Sequence, residues 1–557
     1  MGETRVMNGC EAAHFEPNKV IMSTVSHDKR TEPIVTNHGP VRGFIQDGIQ
    51  HFLGIPYAAP PVGSLRWRPP ISPPLWVKPL DAVEFGNVCA QDSSCFPGFG
   101  YTSTSEDCLC LNVCTPTHQK ADEKLPVMVL FPGGGFFCGG SNDYNPSWLV
   151  IDGNVVFVSL NYRLGIFGFF SHPAINAEDH AIGNYGIMDQ QLALEWVQNN
   201  IGAFGGDRTN VTIMGESAGG ISVMTHMASP RSAGLFHRAI VQSGGSPPTI
   251  AFPTVESRAE RGTALASAAG CRTQAPAELR ALSAEKILVT NAMPSGAFGT
   301  GQYTVGLMED GLVVPSALRE KFRTGKFNRV PLLIGVNRDE FSWFQGMMEL
   351  TTGQILTAEM YPATLTLALK MVAQFGILGL TIPDEAVSII IQRYPVNLHP
   401  KPSRTLAAVL GDAGLISTAG RRTARVIKQF VSDVYTYEFD VADSPTAWPE
   451  VSFPYGSAHA SELQYIFPLF CGGGGKPHPL NKSQEQLAKQ MVFRWTSFAR
   501  HGTPNPKEAL SPIETYWPVY DPQDDNVMLL CTANSQLIDR WGDRHQCDFW
   551  DLFYVDD

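Results

Sequence analysis

Several runs of the chain are apolar at consecutive rather than alternating positions. Residues 125–131 (LPVMVLF), 155–160 (VVFVSL), 211–214 (VTIM), 239–242 (AIVQ) and 330–336 (VPLLIGV) all read this way. A strand that is apolar throughout is buried on both faces, as in a parallel sheet covered on both sides. Between these runs, residues 188–201 carry Leu192, Ala193, Trp196 and Val197 at helical spacing. Strands alternating with helices predict an α/β fold with a mostly parallel central sheet flanked by helices. In such sheets ligands bind at the carboxyl ends of the strands. The turns after 125–131, 211–214 and 330–336 therefore belong to one functional edge.

The flanking regions have other patterns. Residues 34–58 read as a small antiparallel β entry: 34–36 and 41–44 flank Asn37-His38-Gly39-Pro40, and Gln46-Asp47-Gly48 makes the next turn. Residues 56–74 are proline-rich, include Arg66-Trp67-Arg68, and read as a wrapped surface loop. After Asp339 the chain turns helical (365–372, 386–394, 406–426), and no strand is expected before 434–439. This predicts a helical insert, or cap, over about 341–430. Residues 371–382 form the most apolar long stretch, expected to be buried or pocket-lining helix, being too short and too interrupted for a membrane span. A late amphipathic helix is expected over 482–500, and a last edge strand over 527–530. One domain spanning 34–557 is expected, with residues 1–33 as a poorly ordered extension.

Composition narrows the function. Charged residues make up 17% and apolar residues 43% of the 557, enough for a large core. A formal charge of −12, with no basic cluster interleaved with aromatics, argues against nucleic acid as a partner. The eleven cysteines are an odd number and have no zinc-type spacing, so no metal site is expected and at least one thiol is unpaired within the chain.

The stretch Gly215-Glu216-Ser217-Ala218-Gly219 follows one predicted strand and opens a helical pattern. A G-x-S-x-G in that context is a nucleophile turn: small neighbours let the backbone bend sharply and lift the serine hydroxyl clear of the sheet. A serine needs a base, and the base an orienting acid. In α/β-hydrolase order both come later. Asp339-Glu340 after 330–336 offers two adjacent carboxylates, and His459 sits among small residues in GSAHASE. His172, His180, His226 and His237 are rivals on spacing alone.

The chain resembles the type-B carboxylesterase family, in character nearest its microbial members. The match runs through GIPYAAPPVGSLRWRPP (54–70), SEDCLCLNV (105–113), NYRLGIFGF (161–169), GNYGIMDQQLALEWVQNNIGAFGGD (183–207), VTIMGESAGG (211–220), FHRAIVQSG (236–244), GVNRDE (335–340) and GSAHASEL (456–463). The resemblance implies an α/β-hydrolase with Ser217 as nucleophile, Glu340 as orienting acid and His459 as base. It implies an oxyanion hole from Gly134, Gly135 and Ala218, supporting roles for Glu216 and Ser243, a Cys89–Cys108 disulfide, and no cofactor. Its substrates would be small to medium carboxylic esters, with a lipase bearing an apolar lid as the alternative. A non-catalytic adhesion protein on the same fold is disfavoured, because all three triad positions are kept. Two departures stand out. Pro132 precedes the three glycines where the family often has histidine or an aromatic. No tryptophan lies between Cys89 and Cys108, which argues against a choline ester. The first thirty residues lack the apolar core of a secretory leader and suggest the cytoplasm, whereas the cysteine pair suits an oxidising compartment.

Overall fold

The computed structural model describes residues 29–94, 96–120, 123–292, 302–303, 306–374, 380–505 and 515–554. An eleven-stranded sheet organises them. In chain order its strands are β1 (Phe44–Gln46), β2 (Ile49–Pro56), β3 (Cys110–Pro116), β4 (Leu125–Phe131), β5 (Val156–Leu160) and β6 (Gly206–Glu216). They continue with β7 (Arg238–Gln242), β8 (Leu332–Asn337), β9 (Val434–Phe439), β10 (Val527–Leu530) and β11 (Gln536–Ile538). The spatial order is β11-β10-β9-β8-β7-β6-β4-β5-β3-β2-β1. From β5 to β10 every neighbouring pair is parallel. Antiparallel strands close both sides. Residues 527–530 are thus not the edge strand expected: β11 pairs beyond them and takes the exposed position.

The solid apolar runs are explained by the two faces. Val127, Val129 and Phe131 of β4 join one core with Val223, Met224 and Met227 of α2 (Ala218–Ala228). Met128 and Leu130 join the opposite core with Leu487, Met491 and Trp495 of α8 (Lys482–His501). Alternate side chains enter different cores, so no position on β4 can be polar. The first core also takes Leu194 and Val197 from α1 (Tyr185–Asn200).

Between β8 and β9 the chain forms α3 (Phe341–Thr352), α4 (Tyr361–Gln374), α5 (Asp384–Arg393), α6 (Pro402–Gly411), a π-helical segment (Asp412–Arg422) and α7 (Thr423–Lys428). The predicted 406–426 helix is therefore split into three. Residues 375–379 of the apolar 371–382 stretch lie outside the described residues. Among those described, no helix is long and apolar enough to cross a membrane.

Three expectations need correction. Residues 29–33 are tied down: Thr31 N–H donates to Gly43 O, and Ile45 N–H to Lys29 O. Residues 1–28 of the expected extension lie outside the described residues. The 56–74 segment is not merely surface, since Trp67 is fully buried and donates its indole N–H to Ile166 O (2.8 Å). Residues 110–116, read as no element at all, are the long strand β3, whereas β2 falls inside the antiparallel entry expected over 34–58 and follows its Gln46-Asp47-Gly48 turn.

Candidate active site

Strand β6 delivers Ser217 at the carboxyl edge of the sheet. Ser217 adopts φ 56°, ψ −122°, a conformation that costs an L-residue about 1–3 kcal/mol. The turn is held by its backbone: Ser217 N–H donates to Gln242 O (2.8 Å) and Ile221 N–H to Ser217 O (2.9 Å). Gly219 is obligatory, because a Cβ there would stand 2.1 Å from Phe131 O at the end of β4. The hydroxyl-bearing residue stays partly exposed while both its neighbours are buried.

The next turn along this edge follows β4. A Cβ on Gly133 would lie 2.9 Å from Glu216 O, so this turn runs directly against the residue before Ser217. Gly134 (φ 104°) and Gly135 (φ 62°) take backbone conformations that favour glycine. Gly134 O accepts from Phe137 N–H (3.1 Å) and Cys138 N–H (3.0 Å), which curls the turn back on itself. Pro132 is anchored rather than loose: its carbonyl accepts from the Tyr162 hydroxyl (2.8 Å).

Glu340 follows β8 and His459 follows β9. His459 Nδ1 lies 2.5 Å from Glu340 Oε2. The other carboxylate oxygen, Oε1, accepts from the Ser243 hydroxyl (2.6 Å) and from Asn337 N–H (2.8 Å). Glu340 is fully buried, so these partners supply the hydrogen bonds that water cannot. His459 Nε2 lies 3.0 Å from Glu216 Oε1. Burial alone would push the imidazole pKa down, but the carboxylates of Glu216 and Glu340 outweigh it and hold it above its ordinary value. Burial raises Glu216 above the usual carboxylate range. The rings of Trp343 and Phe344, on α3, pack 6.4 and 5.1 Å from the His459 ring.

Asp339, the adjacent acid, is committed elsewhere. It binds the Arg404 guanidinium and accepts from Ser457 N–H (2.9 Å). The rival histidines are likewise engaged. His226 is buried on α2 between Ser232 and Gln190, and burial pulls its pKa to about 3. His237 lies 3.2 Å from Val211 N–H, His172 caps a short helix, and His180 pairs with Glu178.

Cys89 and Cys108 form a disulfide. Among the described residues, Cys271 is unpaired and no group of three or more His, Cys, Asp or Glu is arranged to hold a metal. One buried carboxylate near the site was missed by sequence reasoning. Glu462 accepts from Asn337 Nδ2 (2.5 Å) and Gln242 Nε2 (3.0 Å), joining the ends of β7 and β8 to the short helical turn Ser461–Tyr465 that follows His459. Its only signal was its place in the GSAHASEL stretch.

A family model described as the carboxylesterase family matches residues 30–550. The medium-chain fatty acyl-CoA hydrolase precursor of Anas platyrhynchos is 33% identical, covering 88% of this chain and 86% of its own. Acylcarnitine hydrolase of Rattus norvegicus is 34% identical over 92% and 90%. The solved structure of PNB esterase superposes with a TM-score of 0.72 at 28% identity, covering 93% of this chain and 99% of that one. With the serine turn, the buried acid and the histidine gathered on one sheet edge, this chain belongs to the carboxylesterase family and is a carboxylic-ester hydrolase.

Proposed function

We propose that Ser217, His459 and Glu340 act as nucleophile, base and orienting acid in a two-step acyl transfer. The observation that carries this reading is the 2.5 Å contact between His459 Nδ1 and a Glu340 carboxylate fixed by Ser243 and Asn337. Glu340 holds the imidazole with Nε2 as its basic nitrogen. Nε2 takes the Ser217 proton as Oγ bonds to the ester carbonyl carbon. The carbonyl oxygen becomes an oxyanion held by the N–H groups of Gly134, Gly135 and Ala218. His459 returns the proton to the departing alkoxide, leaving an acyl-serine. Water then attacks the acyl carbon, gives its proton to Nε2, and the carboxylic acid departs as Ser217 is reprotonated.

The names of two relatives suggest where to begin with substrates: medium-chain acyl groups, on oxygen or sulfur leaving groups. The aromatic wall of Trp343 and Phe344 beside His459 favours an apolar substituent near the scissile bond. Ser217→Ala should abolish both ester hydrolysis and labelling by an organophosphate. Wild-type turnover in that variant would overturn the assignment.

A further inference from the structure

The turn carrying Gly134 and Gly135 ends at Gly139, and Gly139 is gripped by one side chain from a distant loop. Gln91 Oε1 accepts from Gly139 N–H (2.8 Å), and Gln91 Nε2 donates to Gly139 O (2.9 Å). The amide thus imitates the paired hydrogen bonds of a neighbouring strand. Gln91 Nε2 also donates to Cys89 O (3.0 Å), and Oε1 also accepts from Tyr101 N–H (3.3 Å). All four hydrogen-bonding positions of the amide are used. Gln91 is 1% exposed, so water cannot stand in for any of them. A Cβ on Gly139 would fall 2.7 Å from Gly133 O, so the gripped residue lies directly beneath the glycine turn.

The loop that carries Gln91 is closed by the Cys89–Cys108 disulfide, 19 residues apart. Gln91 is two residues from one of these cysteines and bonded to that cysteine's carbonyl. A small displacement of Gln91 therefore moves Gly139 and, through it, the turn of Gly133–Gly135.

We propose that Gln91, held by the Cys89–Cys108 loop, is a positioning residue that sets the oxyanion-binding turn for the transition state. The proposal rests on the reading of Gly134 and Gly135 as oxyanion donors. It does not make Gln91 touch substrate. Donors aimed at an oxyanion act on the transition state far more than on bound ester, and losing one outright typically costs about 10²–10³ in rate. A turn that is shifted but not lost should cost less. The loss should fall on kcat and leave KM nearly unchanged.

The test compares wild type, Gln91→Glu and Gln91→Asn. Glutamate keeps the shape but faces the Gly139 and Cys89 carbonyls with oxygen, and asparagine is one carbon too short to reach. Each variant is assayed for kcat and KM on a simple ester. It is also assayed for inhibition by a trifluoromethyl ketone, whose serine adduct carries an oxyanion, and by the product alcohol, which carries none. The expected result in a folded variant is a kcat loss of about tenfold to a hundredfold. Trifluoromethyl ketone affinity should weaken in proportion, while KM and alcohol inhibition stay unchanged. If either folded variant keeps wild-type kcat and ketone affinity, or loses KM and kcat together, the proposal is wrong. If wild type itself binds the ketone no better than the alcohol, the oxyanion reading of the glycine turn fails first.

Discussion

His459 Nε2 lies 3.0 Å from Glu216 Oε1, on the ring nitrogen that Glu340 leaves open. Both nitrogens of the imidazole proposed as the base therefore face a buried carboxylate. The arrangement favours the imidazolium that the proposed attack by Ser217 would form, and it raises the pH at which His459 becomes neutral.

The sign of the resulting pH effect is fixed. With His459 as the proposed base, hydrolysis needs it neutral, so the rate should rise as pH climbs through the pKa of the His459–Glu216 pair. Replacing Glu216 by Gln removes a carboxylate that raises this pKa. The acidic limb of kcat/KM in Glu216→Gln should move to lower pH, by about one unit or more. A pH–rate profile measured on a neutral ester checks this. An unmoved limb would mean that Glu216 does not act on the imidazole.

The two adjacent acids should separate cleanly. Glu340→Gln leaves a buried amide against His459 Nδ1 and removes the charge that supports the imidazolium, so kcat should fall by about 10³–10⁴. Asp339→Asn weakens the contact with Arg404 and the acceptor for Ser457 N–H. Its main effect should be a stability loss of about 1–3 kcal/mol in urea unfolding, with kcat changed far less. Equal, mild kinetic losses in both variants would remove Glu340 from its role.

What could be read from the residues followed from how local the signal was. The bounds 125–131 and 434–439 were read correctly because burial on both faces leaves a run of apolar residues. Strand β3 was missed because polar Asn112 sits in its middle. Asn112 is buried there only because Ser141, Ser159 and Gly54, all distant in sequence, satisfy its amide. Strand β2 was legible only as part of the antiparallel entry over 34–58, because Gly54 (φ 70°) breaks its register between Phe52 and Ile55 and hides its length. The helix expected over 406–426 widens at 412–422, where Asp412 and Arg421 reach ionic partners near the carboxyl terminus. At the site, the G-x-S-x-G turn between strand and helix is a local signal and was legible in the sequence. Choosing Glu340 over Asp339 and His459 over four rivals needed the family resemblance, because those pairings form only in three dimensions. Gln91 carried no local signal, its main partner being Gly139.

The missed strand carries its own prediction. Asn112→Ala should leave the Gly54 N–H and the Ser141 and Ser159 hydroxyls without this partner inside the fold. Each buried group left unpaired costs about 1–3 kcal/mol, so with three groups affected a loss of about 3 kcal/mol or more in urea unfolding is expected. A variant as stable as wild type would mean that water enters beside β3.

A second buried histidine stands between two acids, far along the chain from His459. His545 Nδ1 lies 2.7 Å from Asp412 Oδ1, and Nε2 lies 2.7 Å from Glu438 Oε2. The Tyr394 hydroxyl donates to Asp412, and Trp541 and Arg544 donate to Glu438, so each acid is itself held. Burial alone would lower the His545 pKa, yet the two carboxylates raise it from 6.5 to about 10. A histidine raised on folding stabilises the fold fully below its unfolded pKa, and the contribution disappears as pH climbs through the folded value. For His545 this window runs from about pH 6.5 to about pH 10. Urea unfolding measured at steps across that range should show wild type losing stability with rising pH. His545→Gln should be less stable than wild type at pH about 6 and should lose less on going to alkaline pH. Parallel decline of the two proteins over the whole range would show that the ionised His545 is not the source of the slope.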